Sequence, residues 1–287
     1  MANLKDIRTR IQSVSSTMQI TNAMKMVSAA KLKKAQDAIE RMRPYAEKLT
    51  ELLSGLTASL DSDMGGAYAQ EREVKKVLLV PITSNRGLCG ALNSNIIKQT
   101  EKLIEDEYKG KEVELITIGK KAYDALSKKY PVIANKSDLY DHLDYAHVAE
   151  VAGEIMKDFV DQKYDKVILI YNSFVNAATQ NVETEQFLPV KTEKSDSNLV
   201  LDYIYEPSQA EIVLELIPKS LKTQFYKAIR DAWASEHGAR MTSMHKATDN
   251  AKEMKDELTL QYNKARQAVI TGEILEIVSG AEALKNS

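Results

Sequence analysis

The sequence predicts an α/β domain with a small, mostly parallel sheet, joined to a long antiparallel two-helix coiled coil formed by the N- and C-terminal helices. Three observations predict it. Residues 1–54 contain no glycine and only one proline, Pro44. Residues 219–287 contain no proline at all. Between the two, short apolar runs alternate with helix-like segments. A globular helix averages about 11 to 12 residues, whereas the final segment, continuous at 1.5 Å per residue, would extend on the order of 100 Å. Helices of that length need a lengthwise partner, and each terminus is the obvious partner of the other. The expected organisation is an N-terminal coiled-coil helix over 1–58, a Rossmann-like α/β domain over 72–195 and a C-terminal coiled-coil helix over 208–287.

In the N-terminal helix, Leu4, Ile7, Ile11, Val14, Met18, Thr21, Lys25, Ser28, Leu32, Ala35, Ile39 and Met42 follow alternating spacings of three and four. This is a heptad stripe. It turns polar at Thr21, Lys25 and Ser28, where apolar residues slide sideways onto Ile20, Ala23, Met24 and Val27. Such a break is expected where a helix faces something else, or where its supercoil relaxes.

The C-terminal helix has a short preamble at 203–207, and Pro218 removes one amide from its ladder. Beyond Pro218, Leu221, Phe225, Ala228, Ile229 and Ala232 form a core-facing stripe. Met241, Met244, Thr248, Ala251, Leu258, Tyr262, Ala265 and Val269 keep nearly the same register. Over 269–284 the apolar residues, Ile270, Ile274 and Ile277 among them, cover too broad an arc for one partner helix. An end of that kind is expected to be enclosed by other chains or to lie on a surface. A membrane-surface helix carries Lys and Arg on its polar face, and this one carries Glu, so enclosure by protein is favoured.

In the middle, 74–82, 113–118 and 167–171 are short apolar strands, separated by helix-like segments at 91–106, 119–129 and 142–160. Continuous apolar strands alternating with helices imply a sheet covered on both faces. A weakly alternating segment, 176–185, extends that sheet at an edge. The loop TSNRGLCGALN, 83–93, leaves the first strand and enters a helix, where a doubly wound sheet would hold an anion. Neither GxGxxG nor GxxxxGK[ST] is present. A structural turn whose glycines allow close helix packing is the stronger reading.

Catalytic constellations are thin. Cys89 lies beside Arg86, an arrangement that can activate a thiol, yet no histidine lies within thirty residues to complete a Cys/His pair. His142 and His147 are five apart, off the face-sharing spacing of a helix. His237 and His245 are eight apart, and four scattered histidines with one cysteine make no zinc pattern. Glu236, Asp249, Glu253, Asp256 and Glu257 read as an exposed helix face. No catalytic, cofactor-binding or metal residue is assigned, and no cofactor is expected.

The single cysteine forbids an internal disulfide. The N-terminus carries no apolar signal core and the chain no run of about 18 apolar residues, so a soluble chain in a reducing compartment is expected. Aromatics are scarce at 6% while methionines number 10, a balance that suits long helices with irregular seams. The net charge of −2 conceals a division. Residues 1–45 hold nine Lys/Arg against three Asp/Glu and residues 219–266 ten against six, so the terminal helices are basic and the middle is acidic. A basic helical patch suits nucleic acid, but no aromatic stacking platform accompanies it; an acidic protein partner satisfies the same charge. On residues alone, a coiled-coil scaffold or a nucleic-acid-associated structural protein outranks an enzyme.

Three stretches carry a more specific signal: LKDIRTRIQSVSSTMQITNAMKMVSAAKL at 4–32, TSNRGLCGALN at 83–93 with YIYEPS at 203–208, and EHGARMTSMHKATDNA at 236–251 followed by LTLQYNKARQAVITGEILEIVSGAEAL at 258–284. In order and spacing the chain resembles the central-stalk gamma family of rotary F-type ATP synthases. Where that family usually carries Asp in the first loop, this chain has Asn85. The resemblance implies a non-catalytic subunit, one copy per complex, on the cytoplasmic face of a bacterial inner membrane without inserting into it. Implied partners are the alpha and beta subunits of the catalytic head, the epsilon subunit and the membrane c-ring, with no nucleic acid. Implied contact residues are Met24, Lys25 and Met26 toward the lever loops of the catalytic subunits, Arg240, Arg266 and Gln267 toward the ring's loops, and Ile270, Ile274 and Ile277 inside its sleeve.

Overall fold

The structure, a computed structural model, describes residues 4–58, 66–190 and 209–285. The expected preamble at 203–207 lies outside the described residues. Helix α1, Leu4–Ala58, and helix α5, Gln209–Lys285, run through Pro44 and Pro218 without interruption. Residues 4–27 and 241–285 form one compact unit, and residues 28–240 form a second.

The first unit is the helix pair. Its buried seam keeps a seven-residue rhythm: Ile7 and Thr21 on α1, and Met244, Ala251 and Leu258 on α5. Strict seven-residue spacing is what two helices in a coiled coil require. The seam therefore does not leave Thr21, although the residue is polar. Of the sideways stripe, Ile20 and Val27 stay outside, 60% and 57% exposed, while Met24 is half-buried. Thr21 holds the buried position because its hydroxyl finds partners there, so polarity alone misidentifies a break.

The second unit is built on a five-stranded sheet in the order β3-β2-β1-β4-β5. The strands are β1 Lys76–Pro81, β2 Glu112–Thr117, β3 Val132–Asn135, β4 Lys166–Phe174 and β5 Gln180–Leu188. The first four run parallel, and β5 pairs antiparallel with β4. Central strand β1 is buried on both faces, as its continuous Val-Leu-Leu-Val run requires. Leu78 and Val80 face a core shared with helix α4, Tyr145–Val160, and with Ile217 to Ala232 of α5. Val77 and Leu79 face the core on the side of α2, Leu92–Lys102, and α3, Lys120–Leu126. Helix α4 buries Val148, Val151, Ala152, Ile155, Met156 and Phe159, one helical face, and Asp144 caps it by accepting from the His147 amide at 3.0 Å.

The edge strand expected near 176–185 is β5. Strand β3 was not legible: it has four residues, alternating half-exposed and exposed, and follows Pro131. The helical segment expected over 91–106 is α2 continued by a π-helical turn over Leu103–Glu107. His142 lies outside α4, so the helical-spacing argument does not govern it, and its ring stacks on His147 at 5.7 Å.

Candidate functional site

In a doubly wound sheet the ligand crevice opens where crossovers leave neighbouring strands on opposite faces. Here that point lies between the C-terminal ends of β1 and β4, since α2 follows β1 on one face and α4 precedes β4 on the other. The loop after β1 is committed to internal bonds. Thr83 Oγ1 accepts from the Ala122 amide at 2.9 Å, the Ser84 carbonyl from the Lys121 amide at 3.2 Å, and Asn85 Oδ1 from the Lys120 amide at 3.0 Å. These three donors are the amides otherwise left unpaired at the start of α3, so the loop after β1 caps that helix. Asn85 Nδ2 also donates to the Ser137 carbonyl at 2.9 Å, a bond no carboxylate at this position could donate.

Cys89 is buried and its thiol is pushed up, chiefly by burial, with Ser84 and Arg240 pulling it back. Asn93 Nδ2 donates to its sulfur at 3.3 Å. An exposed, low-pKa thiolate is what reactivity needs, and this cysteine is a packing residue. The expectation that the loop glycines serve close helix packing is corrected for Gly87. A Cβ on Gly87 would meet nothing nearer than Lys121 Cε at 3.9 Å, while Gly90 adopts φ 62°. Leu88, 64% exposed, also holds a positive φ of 63°.

The close-packing glycine is Gly238 on α5, whose Cβ would lie 3.3 Å from both Ala177 Cα and Phe174 Cε2. Next to it Ser235 Oγ donates to the Asn172 carbonyl of β4 at 2.9 Å, and Ala239 packs on Cys89 and Leu92. Arg240 donates from Nη2 to the carbonyls of Arg86 at 3.0 Å and Gly87 at 3.2 Å, while Nη1 pairs with Glu236 at 2.6 Å. Glu236 is thus not part of an exposed face. It is buried, its carboxyl pushed up by burial and drawn back down by Arg240. The reading of Asp249, Glu253, Asp256 and Glu257 as an exposed face holds.

His237 lies between these groups, 4% exposed, with neither ring nitrogen bonded among the described residues. Its ring stands edge-on to Trp233 at 5.0 Å. Burial first, then the positive charges of Arg240 and Lys31, push its pKa down to about 3. Ser235, Gly238, Ala239 and Asn172 were missed by sequence reasoning. The only signal for the first three is a run of small residues at positions three and four apart on one face of α5, which reads equally as a seam; Asn172, on β4, carries none.

The other candidate residues lie on helix surfaces. Met24 and Lys25 are half-buried and Met26 is 58% exposed, and Lys25 makes no ion pair among the described residues. Arg266 and Gln267 are exposed. Ile270, Ile274 and Ile277 are 45%, 55% and 72% exposed, three exposed apolar side chains on a Glu-bearing helix. No helix among the described residues is long and apolar enough to cross a membrane, and no cluster of His, Cys, Asp and Glu among them suits a metal ion.

A family model described as ATP synthase matches residues 3–284. The ATP synthase gamma chain of Christiangramia forsetii is 61% identical over 284 residues, covering 99% of both chains. That of Flavobacterium johnsoniae is 65% identical over 285 residues, again covering 99% of both. Among solved structures, the central stalk and c-ring of Tetrahymena thermophila mitochondrial ATP synthase contains a chain 25% identical, with a TM-score of 0.59, covering 79% of this chain and 99% of that one. A chain of Euglena gracilis mitochondrial ATP synthase shares the fold at 21% identity, with a TM-score of 0.69 over 98% of this chain and 94% of that one.

Proposed function

The chain belongs to the family of ATP synthase gamma chains, and we propose that it is the central-stalk rotor of an F-type ATP synthase, passing torque between a membrane c-ring and an alpha–beta catalytic ring. The observation that carries the mechanism is the helix pair itself: a narrow seam of Ile7, Thr21, Met244, Ala251 and Leu258 with unlike outer surfaces around it. A two-stranded axle presents different side chains in different directions. Each surrounding catalytic subunit therefore meets a different surface, and differential contact favours a different conformation and nucleotide affinity at otherwise similar sites. Turning the axle passes those states around the ring.

Phosphoryl transfer needs a phosphate-cradling loop and positioned cations, which this sequence does not offer, so the chemistry belongs to the partners. The half-buried Lys25, flanked by Met24 and Met26, would meet carboxylates on the lever loops of the catalytic subunits. Arg266 and Gln267 would bond the upper loops of the ring, while Arg240 would act through the loop it holds. Ile270, Ile274 and Ile277 would sit in an apolar sleeve, where burial without many fixed polar pairs resists removal but not turning. The domain limits 1–58, 72–195 and 208–287, the epsilon-subunit contact and a peripheral place on the cytoplasmic face of a bacterial inner membrane complete the proposal. Purification of the tagged chain from membranes tests it. One copy per alpha–beta ring, in a complex that pumps protons when given ATP, is the expected result, and recovery of the chain without that ring contradicts it.

A further inference from the structure

The crevice at the β1/β4 switch point, where a sheet of this type would take a ligand, is filled by the chain's own helix α5. The geometry points to this seat as a fixed joint through which torque passes between the α/β domain and the axle helix, an inference that rests on the rotor reading above. Contacts of four residues make the seat. Gly238 brings the helix so close to the end of β4 that a Cβ would stand 3.3 Å from Ala177 Cα and Phe174 Cε2. Ser235 Oγ bonds the Asn172 carbonyl inside β4 at 2.9 Å. On the other side of the crevice, Arg240 holds two carbonyls of the β1 loop and Ala239 packs on Cys89.

A helix resting on a sheet through long, flexible side chains can slide, because rotamer changes absorb the movement. At Gly238 the helix backbone comes up against the backbone of Ala177, and close-packed interiors transmit strain instead of absorbing it. The bonds run to β4 on one side of the crevice and to the loop after β1 on the other, so the helix cannot rotate about its axis without breaking one set. Helix α5 continues beyond the seat to Lys285. A force applied to the sheet therefore enters the helix at Ser235 to Arg240.

The test uses the assembled complex in membrane vesicles. Gly238→Val drives methyl groups into Ala177 and Phe174, and it is expected to retain ATP hydrolysis while losing most ATP-driven proton pumping. Gly153→Ala, on α4 where a Cβ meets nothing within 4 Å, is expected to keep both. Ala239→Cys supplies a partner for the native Cys89, and oxidation should close a bridge that leaves pumping unchanged, because a fixed joint has no movement to block. Full pumping by Gly238→Val overturns the proposal. So does a bridged Ala239→Cys enzyme that loses pumping and regains it on reduction, or a bridge that does not close. Failure of the unmodified chain to assemble and pump would instead overturn the rotor reading and leave the seat's geometry as it is.

Discussion

The hydroxyls of Thr21 and Thr248, 227 residues apart in sequence, lie 2.8 Å from each other across the helix pair. Each also reaches a carbonyl of its own helix, Thr21 that of Met18 at 3.1 Å and Thr248 that of Met244 at 2.8 Å. With one proton on each oxygen, Thr248 donates either across the pair or back along α5. A polar pair at a buried heptad position fixes which turn of one helix faces which turn of the other. It also explains why the apolar stripe is interrupted without the seam being lost.

Replacing either threonine by valine leaves the remaining hydroxyl a local carbonyl to bond, so each single variant should lose little stability. A double-mutant cycle of Thr21→Val and Thr248→Val, read by urea unfolding, should give a coupling of about 0.5 to 1 kcal/mol. Strict additivity would remove the cross-helix bond from the account.

His237 makes stability depend on pH. Its folded pKa, about 3, lies below the ordinary value of 6.5, so between those values the unfolded chain binds the extra proton. Stability contributed by the neutral ring is complete above about pH 6.5 and falls as pH drops toward 3, with a slope of at most about 1.4 kcal/mol per pH unit. Glu236 acts in the opposite sense, since its raised carboxyl pKa lets the folded chain take a proton first. His237→Leu, which removes two buried nitrogens without a hydrogen-bond partner among the described residues, should flatten the slope between pH 6.5 and 5 and raise the melting temperature at pH 5. An unchanged slope would show that the ring is solvated.

Arg240→Ala strips the buried Glu236 of its counter-charge and frees two loop carbonyls. Breaking a buried pair from one side costs about 3 to 5 kcal/mol, so a large drop in melting temperature is expected. Adding Glu236→Gln should recover part of it. If the double variant is no more stable than the single one, the loss comes from the loop carbonyls alone.

Lys25→Glu should leave the chain folded and weaken the coupling of proton flow to ATP turnover. Lys25 is half-buried but makes no ion pair among the described residues, so reversing its sign breaks no ion pair among them. ATP-driven pumping in vesicles is the readout. Unchanged pumping would remove Lys25 from the mechanism.

Deleting residues 270–287 removes side chains such as Ile274 and Ile277 that are exposed on the isolated chain. The melting transition of the α/β domain should stay in place while association with the alpha–beta ring weakens. Equal loss of both would contradict an independent role for that end.

Much of this was legible because periodicity and burial agree. The seven-residue spacing of Ile7, Thr21, Met244, Ala251 and Leu258 is visible in the sequence, as is the continuous apolar run of β1. What escaped depends on tertiary context. Strand β3 is too short and too exposed to carry a pattern. The burial of Glu236 depends on Arg240 four residues on and on the loop at Arg86, which lies 154 positions from Arg240. Gly238 looks like any helical glycine until β4 is placed against it, because close approach is a property of two elements and not of one.

The most direct test of the central claim places a probe on Ile133→Cys, an exposed site of β3, with the native Cys89 buried and protected from labelling. With the alpha–beta ring immobilised and ATP supplied, the probe should turn in one direction for as long as hydrolysis continues. A probe that stays at a fixed angle while the same complexes hydrolyse ATP would contradict the account.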